Sequence, residues 1–167
     1  MALEATVKAS ISGTLTSTPD LASVAAKIAA ALSVSFTDGA GAGQANVVFN
    51  DTRTITASSN EDLDLSGSLT NSIGGSAVFA RIKAILVKAA SGNTNNVNVT
   101  RPASNGVPLF LAASDGIAIK PGGAFLWVAP DASGVAVTAD TGDLINLANS
   151  AGSTSVTYDI VIVGAAT

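Results

Sequence analysis

The chain has 167 residues, of which only 12% are charged, and a formal net charge of −4. It contains neither Cys nor His, which excludes a disulfide framework and removes the usual general base near neutral pH and the commonest transition-metal ligand. The length suits one domain, and the scattered Lys and Arg argue against a nucleic-acid surface. We therefore expect a protein that is no enzyme and takes no cofactor, no small-molecule substrate and no nucleic acid.

We also expect no contact with a membrane. The longest apolar stretch, residues 21–36, is interrupted by Lys27 and by serines, so it does not predict a membrane-spanning helix. The first ten residues lack the basic-then-apolar order of a secretion signal.

The first 18 residues alternate loosely between apolar and polar side chains, as an extended segment does. We interpret residues 1–18 as an extended arm or edge strand that docks on another subunit, and residues 19–167 as a single β-sandwich domain. The candidate assembly contacts in the arm are the larger apolar residues Leu3, Val7, Ile11 and Leu15.

The next segment fits two structures. Thr18, Pro19 and Asp20 provide an N-cap, a first-turn proline and an acid, and apolar residues follow at helical spacing, which predicts one short helix over about 20–31. The alternative is a strand beginning near Ala30, in which Leu32, Val34 and Phe36 alternate with serines.

Two loops carry weak signals for ligands. The glycine-rich residues 38–43 suggest a phosphate loop, but no Lys-Ser/Thr follows, so a plain surface loop is the better interpretation. Glu61, Asp62 and Asp64 offer carboxylates for a hard cation, but the twelve-residue calcium-loop pattern is absent. We predict a solvated turn there and no metal site.

Two apolar segments, residues 78–90 and 156–164, organise the prediction of the fold. In the second, Val156, Tyr158, Ile160 and Ile162 fall on one face, which predicts a strand that is paired on both sides. The first segment also fits a helix, but its bracketing glycine turns and its alternation favour a strand. Further short strands, separated by glycine-rich turns, follow every eight to fifteen residues, which predicts an all-β, antiparallel sandwich.

The remaining candidate residues do not form a recognisable catalytic site. Asp140 and Asp143 lie on one tight turn, where we expect both carboxylates to face water rather than each other across a substrate. We expect Lys83 to extend its amine to solvent. Trp127, the only tryptophan, is interpreted as a core or interface anchor and is the fifth candidate assembly contact.

Two stretches together resemble a known class of protein. Residues 38–90 (from DGAGAGQANVVF to ARIKAILVKAA) and 117–165 (from IAIKPGGAFLWV to VTYDIVIVGA) are similar to small β-sandwich virion proteins of tailed bacteriophages. The resemblance implies a jelly-roll-like sandwich with no catalytic motif. It also implies a capsid decoration, or cement, protein on the virion surface, made in the host cytoplasm, whose partners are the major capsid protein and copies of itself in a homotrimer.

Two other functions remain open. The first is a tail fibre or baseplate module that contacts another tail protein or host glycans, the glycans through loops around Trp127 or residues 93–96. The second, kept only for completeness because we expect no enzyme, is a hydrolase that uses Asp140 and Asp143.

Overall fold

A computed structural model describes residues 2–67 and 69–166. Within these residues the chain is all-β, as predicted. The same residues contain no helix long and apolar enough to span a membrane.

Twelve strands follow one another along the described residues. They are β1 (Ala5–Ser17), β2 (Val24–Asp38), β3 (Gln44–Ala45), β4 (Val47–Ile55), β5 (Asn60–Asp64), β6 (Arg81–Ala89), β7 (Val97–Thr100), β8 (Gly116–Ile119), β9 (Ala124–Val128), β10 (Val135–Ala136), β11 (Leu144–Asn149) and β12 (Val156–Ala165).

Two sheets form the sandwich. The five-stranded sheet has the order β10-β6-β12-β4, with β9 also paired to β6, and the four-stranded sheet has the order β5-β11-β7-β8. All pairs within these two sheets are antiparallel. Their inner faces share one apolar core, to which the five-stranded sheet contributes Ile85 and Tyr158 and the four-stranded sheet Leu63 and Leu147. The finer jelly-roll arrangement stays a prediction.

The C-terminal strand is central, as its composition predicted. β12 pairs with β4 on one side and with β6 on the other. Its residues Val156, Tyr158, Ile160 and Ile162 are buried in the main core. The strand interpretation of residues 78–90 is also confirmed, since β6 lies within them.

A β-bulge interrupts the pairing of β6 with β12. Val163 is paired with Ala84 and Gly164 with Ile82, so Lys83 is the extra residue. A Cβ atom added at Gly164 would lie 2.2 Å from the carbonyl oxygen of Arg81. Gly164 is therefore required for the close approach of the two backbones at the bulge.

The helix predicted over residues 20–31 is wrong. β2 begins at Val24 and pairs residue by residue with β1, from Ser17 opposite Val24 to Ala5 opposite Phe36. Apolar residues that fit one helix face also occupy alternate strand positions, and pairing with β1 decides between the two. The predicted boundary between arm and sandwich, at residues 18 and 19, falls in the turn between these paired strands. The division into an arm and a sandwich domain stays a prediction.

Candidate assembly surface

The long hairpin of β1 and β2 is anchored at its base on the outer face of the five-stranded sheet. Phe36 is buried there against Ala84 and Val163, and Val7 and Val34 pack around this second apolar cluster. The backbone N–H of Leu3 donates a hydrogen bond of 3.1 Å to Oδ1 of Asp38. The base of the hairpin thus covers part of an apolar sheet face that would otherwise be exposed to solvent.

Beyond its base the hairpin projects from the sandwich. Every residue from 8 to 33 is exposed. At about 3.3 Å per residue, the free part of β1 extends for roughly 30 Å. The third sheet consists of β1, β2 and the two-residue β3, which pairs with β2 only at Thr37 and Asp38. Both long edges of the projecting hairpin are therefore open.

The projecting hairpin has one apolar and one polar face, because side chains alternate along both strands. We call the first the apolar hairpin face. Its projecting part consists of Ala9, Ile11, Gly13, Leu15 and Ser17 on β1 and Val24, Ala26, Ile28, Ala30 and Leu32 on β2. The opposite face carries mainly Ser, Thr and Ala, together with Lys8 and Lys27. All five large side chains of the apolar hairpin face are exposed, at 75% for Ile11, 68% for Leu15, 58% for Val24, 54% for Ile28 and 45% for Leu32.

Large and small residues are paired across this face. In order from the base to the tip, the cross-strand pairs are Ala9–Leu32, Ile11–Ala30, Gly13–Ile28, Leu15–Ala26 and Ser17–Val24. The larger residue changes strand at every pair. The apolar hairpin face is thus a zigzag of projecting side chains with a hollow beside each of them.

A groove of about 400 Å³ lies beside the base of the hairpin. It is lined by residues 3–8 and by apolar residues of the outer sheet face, among them Leu86, Leu126 and Val161. Leu86 is 37% exposed. The apolar surface therefore continues from the hairpin onto the sandwich.

The five candidate contacts predicted from the sequence occupy three environments. Leu3 and Val7 are half-buried at the base of the hairpin, and Ile11 and Leu15 are exposed on the apolar hairpin face. Trp127 is half-buried and packs against the main core. Val24, Ile28 and Leu32 are further contacts that were not among the predicted ones, although the alternation of apolar residues from 24 to 36 is a signal for them.

The acidic turn differs from the prediction. Asp140 is exposed, but Asp143 is buried. Oδ2 of Asp143 accepts hydrogen bonds from Oγ of Ser66 at 2.6 Å and from the backbone N–H of Asp140 at 2.9 Å. Burial alone would raise the pKa of Asp143, but these hydrogen bonds outweigh it and the pKa lies below its ordinary value. Asp143 therefore holds the turn against the loop after β5 rather than facing water.

Lys83 also differs from the prediction, because its side chain is buried and does not reach solvent. Its Nζ donates a hydrogen bond to the carbonyl oxygen of Asp131. Burial lowers the pKa of Lys83, although the negative charge of Asp131 opposes the shift. The lysine is the extra residue of the bulge and ties it to the loop before β10.

Other polar groups serve internal contacts. Glu61 accepts hydrogen bonds from Nε of Arg53 at 2.7 Å and from the hydroxyl of Tyr158 at 2.8 Å. Among residues 2–67 and 69–166, no group of three or more acids is placed to hold a metal ion. In the asparagine-rich loop, the side-chain amides of Asn93 and Asn95 donate to the carbonyl oxygens of Thr157 and Thr154. These asparagines therefore stabilise the loop itself.

No protein-family model, curated protein or solved structure matches this chain.

Proposed function

We propose that the chain is a structural protein of a tailed-bacteriophage virion, and specifically a capsid decoration protein that bridges capsomers as a homotrimer. Its partners are the major capsid protein and other copies of the chain. The observation that carries the proposal is the projecting hairpin, whose apolar face is exposed along its length. An exposed apolar surface of this extent marks a site of protein association.

The sandwich supports the proposal by its chemistry. Asp143, Glu61 and the buried Lys83 are engaged in internal hydrogen bonds. A sandwich of this kind can serve as a packing unit. When many copies bind a symmetric shell, contacts that are weak one by one become strong together.

A glycan-binding tail module is less well supported. Trp127 packs against the main core, and Asn93 and Asn95 use their side-chain amides within the chain. A sugar platform needs an exposed aromatic face and free polar groups around it.

The proposal is tested by adding the purified chain to phage heads that lack it and imaging them by cryo-electron microscopy. Saturable density over the capsid shell, with three copies at each site, is the expected result. Density confined to the tail tip would favour the tail module, and the absence of binding to heads and tails would overturn the proposal.

Substitution is a better probe of the hairpin than deletion. Removing residues 2–18 would leave residues 24–36 of β2 without their partner strand, and an unpaired strand edge promotes aggregation. We expect Ile11→Asp to weaken binding to heads, whereas Ser12→Asp, on the opposite face of β1, leaves it unchanged.

A further inference from the structure

The apolar hairpin face carries no charged residue along its projecting length. Lys8 and Lys27, the two cations of the paired strands, both lie on the opposite face. If a partner surface carried charges, docking on this face would remove water from those charges, and no opposite charge on the face would replace it. The occupant of this face must therefore be apolar as well.

Gly13 shows that the hollows of the zigzag are open. A Cβ atom built at Gly13 meets no atom within 4 Å, although it would stand beside the exposed Ile28. Glycine in the interior of a strand weakens the strand and typically marks a close approach by another group. Within the described chain no group makes that approach to Gly13.

We propose that the apolar hairpin face packs against the same face of a second copy of this chain. Each copy presents projections at Leu32, Ile11, Ile28, Leu15 and Val24 and hollows at the small residues paired with them. Two such faces are complementary to each other, because the projections of one copy fill the hollows of the other. A symmetric assembly uses one patch twice in this way.

The area is sufficient for a specific contact. The exposed fractions of the five large side chains of the apolar hairpin face correspond to on the order of 600 Å² in each copy, so that complete burial in two copies would remove roughly 1,200 Å² from water, the lower end of stable interfaces. The groove beside Leu86 and Leu126 continues the apolar surface at the base.

The hairpin also needs a partner for its own stability. A two-stranded hairpin is marginally stable in water by itself. β2 contains five alanines among residues 25–31, and alanine has low strand propensity. Contact between two copies would supply the burial that these strands lack in one chain.

The proposal rests on the proposed function only in that copies of the chain contact one another. This contact joins two copies, so the homotrimer needs a separate contact, and the test needs no virus particle. The full chain is measured by sedimentation equilibrium up to about 0.1 mM, where even a weak specific interface is occupied. We expect a dimer, because a face that packs against the same face of a second copy is fully used in one pair. We expect Ile11→Asp and Ile28→Asp to be monomeric, and Ser12→Asp and Ala29→Asp, their neighbours on the opposite face, to assemble like the original chain.

A second variant separates complementary packing from non-specific apolar attraction. Gly13→Val adds an apolar side chain whose Cβ atom meets nothing within 4 Å in the single chain, but it fills a hollow that the second copy would occupy. Non-specific attraction would become stronger. If the packing is complementary, we expect the association constant to fall at least about tenfold, because an extra side chain in a well-packed contact is destabilising.

Three results would overturn the inference. These are a wild-type chain that is monomeric over the whole concentration range, an oligomer that survives Ile11→Asp and Ile28→Asp, or a Gly13→Val variant that associates more tightly. A monomeric chain that still binds heads through Ile11 would assign the face to the capsid protein. The inference would then fail, while the proposal of a capsid decoration protein stands.

Discussion

The hydroxyl of Tyr158 donates a 2.8 Å hydrogen bond to Glu61 and so joins the two sheets of the sandwich. Tyr158 lies on the central strand β12, and Glu61 lies on β5 in the opposite sheet. Glu61 is held in turn by Arg53. Burial raises the pKa of the Tyr158 hydroxyl well above its ordinary value, and the hydrogen bond to Glu61 raises it further. The tyrosine therefore stays protonated as a donor at neutral pH.

We expect Tyr158→Phe to lower the free energy of unfolding by about 1–2 kcal/mol, because the substitution removes a hydrogen bond to a charged group. Chemical denaturation measures this change. The matched control is Thr52→Val, which removes an exposed hydrogen bond of the same length to Asp159, with an expected change below about 0.5 kcal/mol. Equal effects of the two substitutions would contradict the bridging role of Tyr158.

Substitution by alanine is expected to change the stability of the sandwich at one glycine and not at another. At Gly164 an added Cβ atom would lie 2.2 Å from a backbone oxygen, whereas at Gly13 it would meet nothing. We expect Gly164→Ala to destabilise the sandwich by about 2–4 kcal/mol. Gly13→Ala leaves the stability of the sandwich unchanged. Thermal unfolding of both variants checks the pair, and a stable Gly164→Ala protein would show that the bulge does not require glycine.

The pH dependence of stability reports on Asp143. Because its pKa is lowered in the folded chain, its contribution is complete above the unfolded pKa of about 4 and is lost as pH falls through the folded pKa. We expect Asp143→Asn to lower the free energy of unfolding at pH 7 by about 1–2 kcal/mol. The difference from the original chain then shrinks below about pH 4. A difference that does not depend on pH would contradict this assignment.

The buried Lys83 predicts a stabilising substitution. Burial penalises its charged form, and the group that it contacts is a neutral backbone carbonyl, that of Asp131. We expect Lys83→Met to raise the free energy of unfolding by about 1 kcal/mol at pH 7.

This advantage of Lys83→Met has a definite pH dependence. The pKa of Lys83 is lower in the folded than in the unfolded chain, so the original chain gains stability as pH rises between these two values. The advantage of the methionine therefore shrinks toward about pH 10. Urea denaturation at pH 7 and near pH 9.5 measures it. A loss of stability with Lys83→Met at pH 7 would mean that the hydrogen bond to Asp131 outweighs the burial of the charge.

The sequence predicts the sandwich well because its strands carry their own signals. Alternation identifies β12 and its buried residues Tyr158 and Ile160, and the absence of His and Cys limits the chemistry without reference to the fold. The hairpin is harder to predict. Leu21, Val24, Ile28 and Leu32 satisfy a helical period, and the intervening alanines fit either structure, so the decision depends on pairing with a strand that precedes them in the chain.

The environments of Asp143 and Lys83 were mispredicted for a similar reason. Asp143 is buried by its contact with Ser66, which is 77 positions away in the chain. Lys83 is buried at the bulge in the pairing of β6 with β12, and it contacts Asp131, which is 48 positions away in the chain. Local patterns identify a turn and a strand in these places, but they carry no information on the distant groups that cover the side chains.

The most direct test of the apolar hairpin face is amide hydrogen exchange of the full chain at several concentrations. The account predicts that protection of residues 5–17 and 24–38 rises with concentration, because burial between copies suppresses local opening of the hairpin. Protection of β6 and β12 in the sandwich stays constant, and the Ile11→Asp variant shows no rise. Hairpin protection that is the same at every concentration would contradict the account.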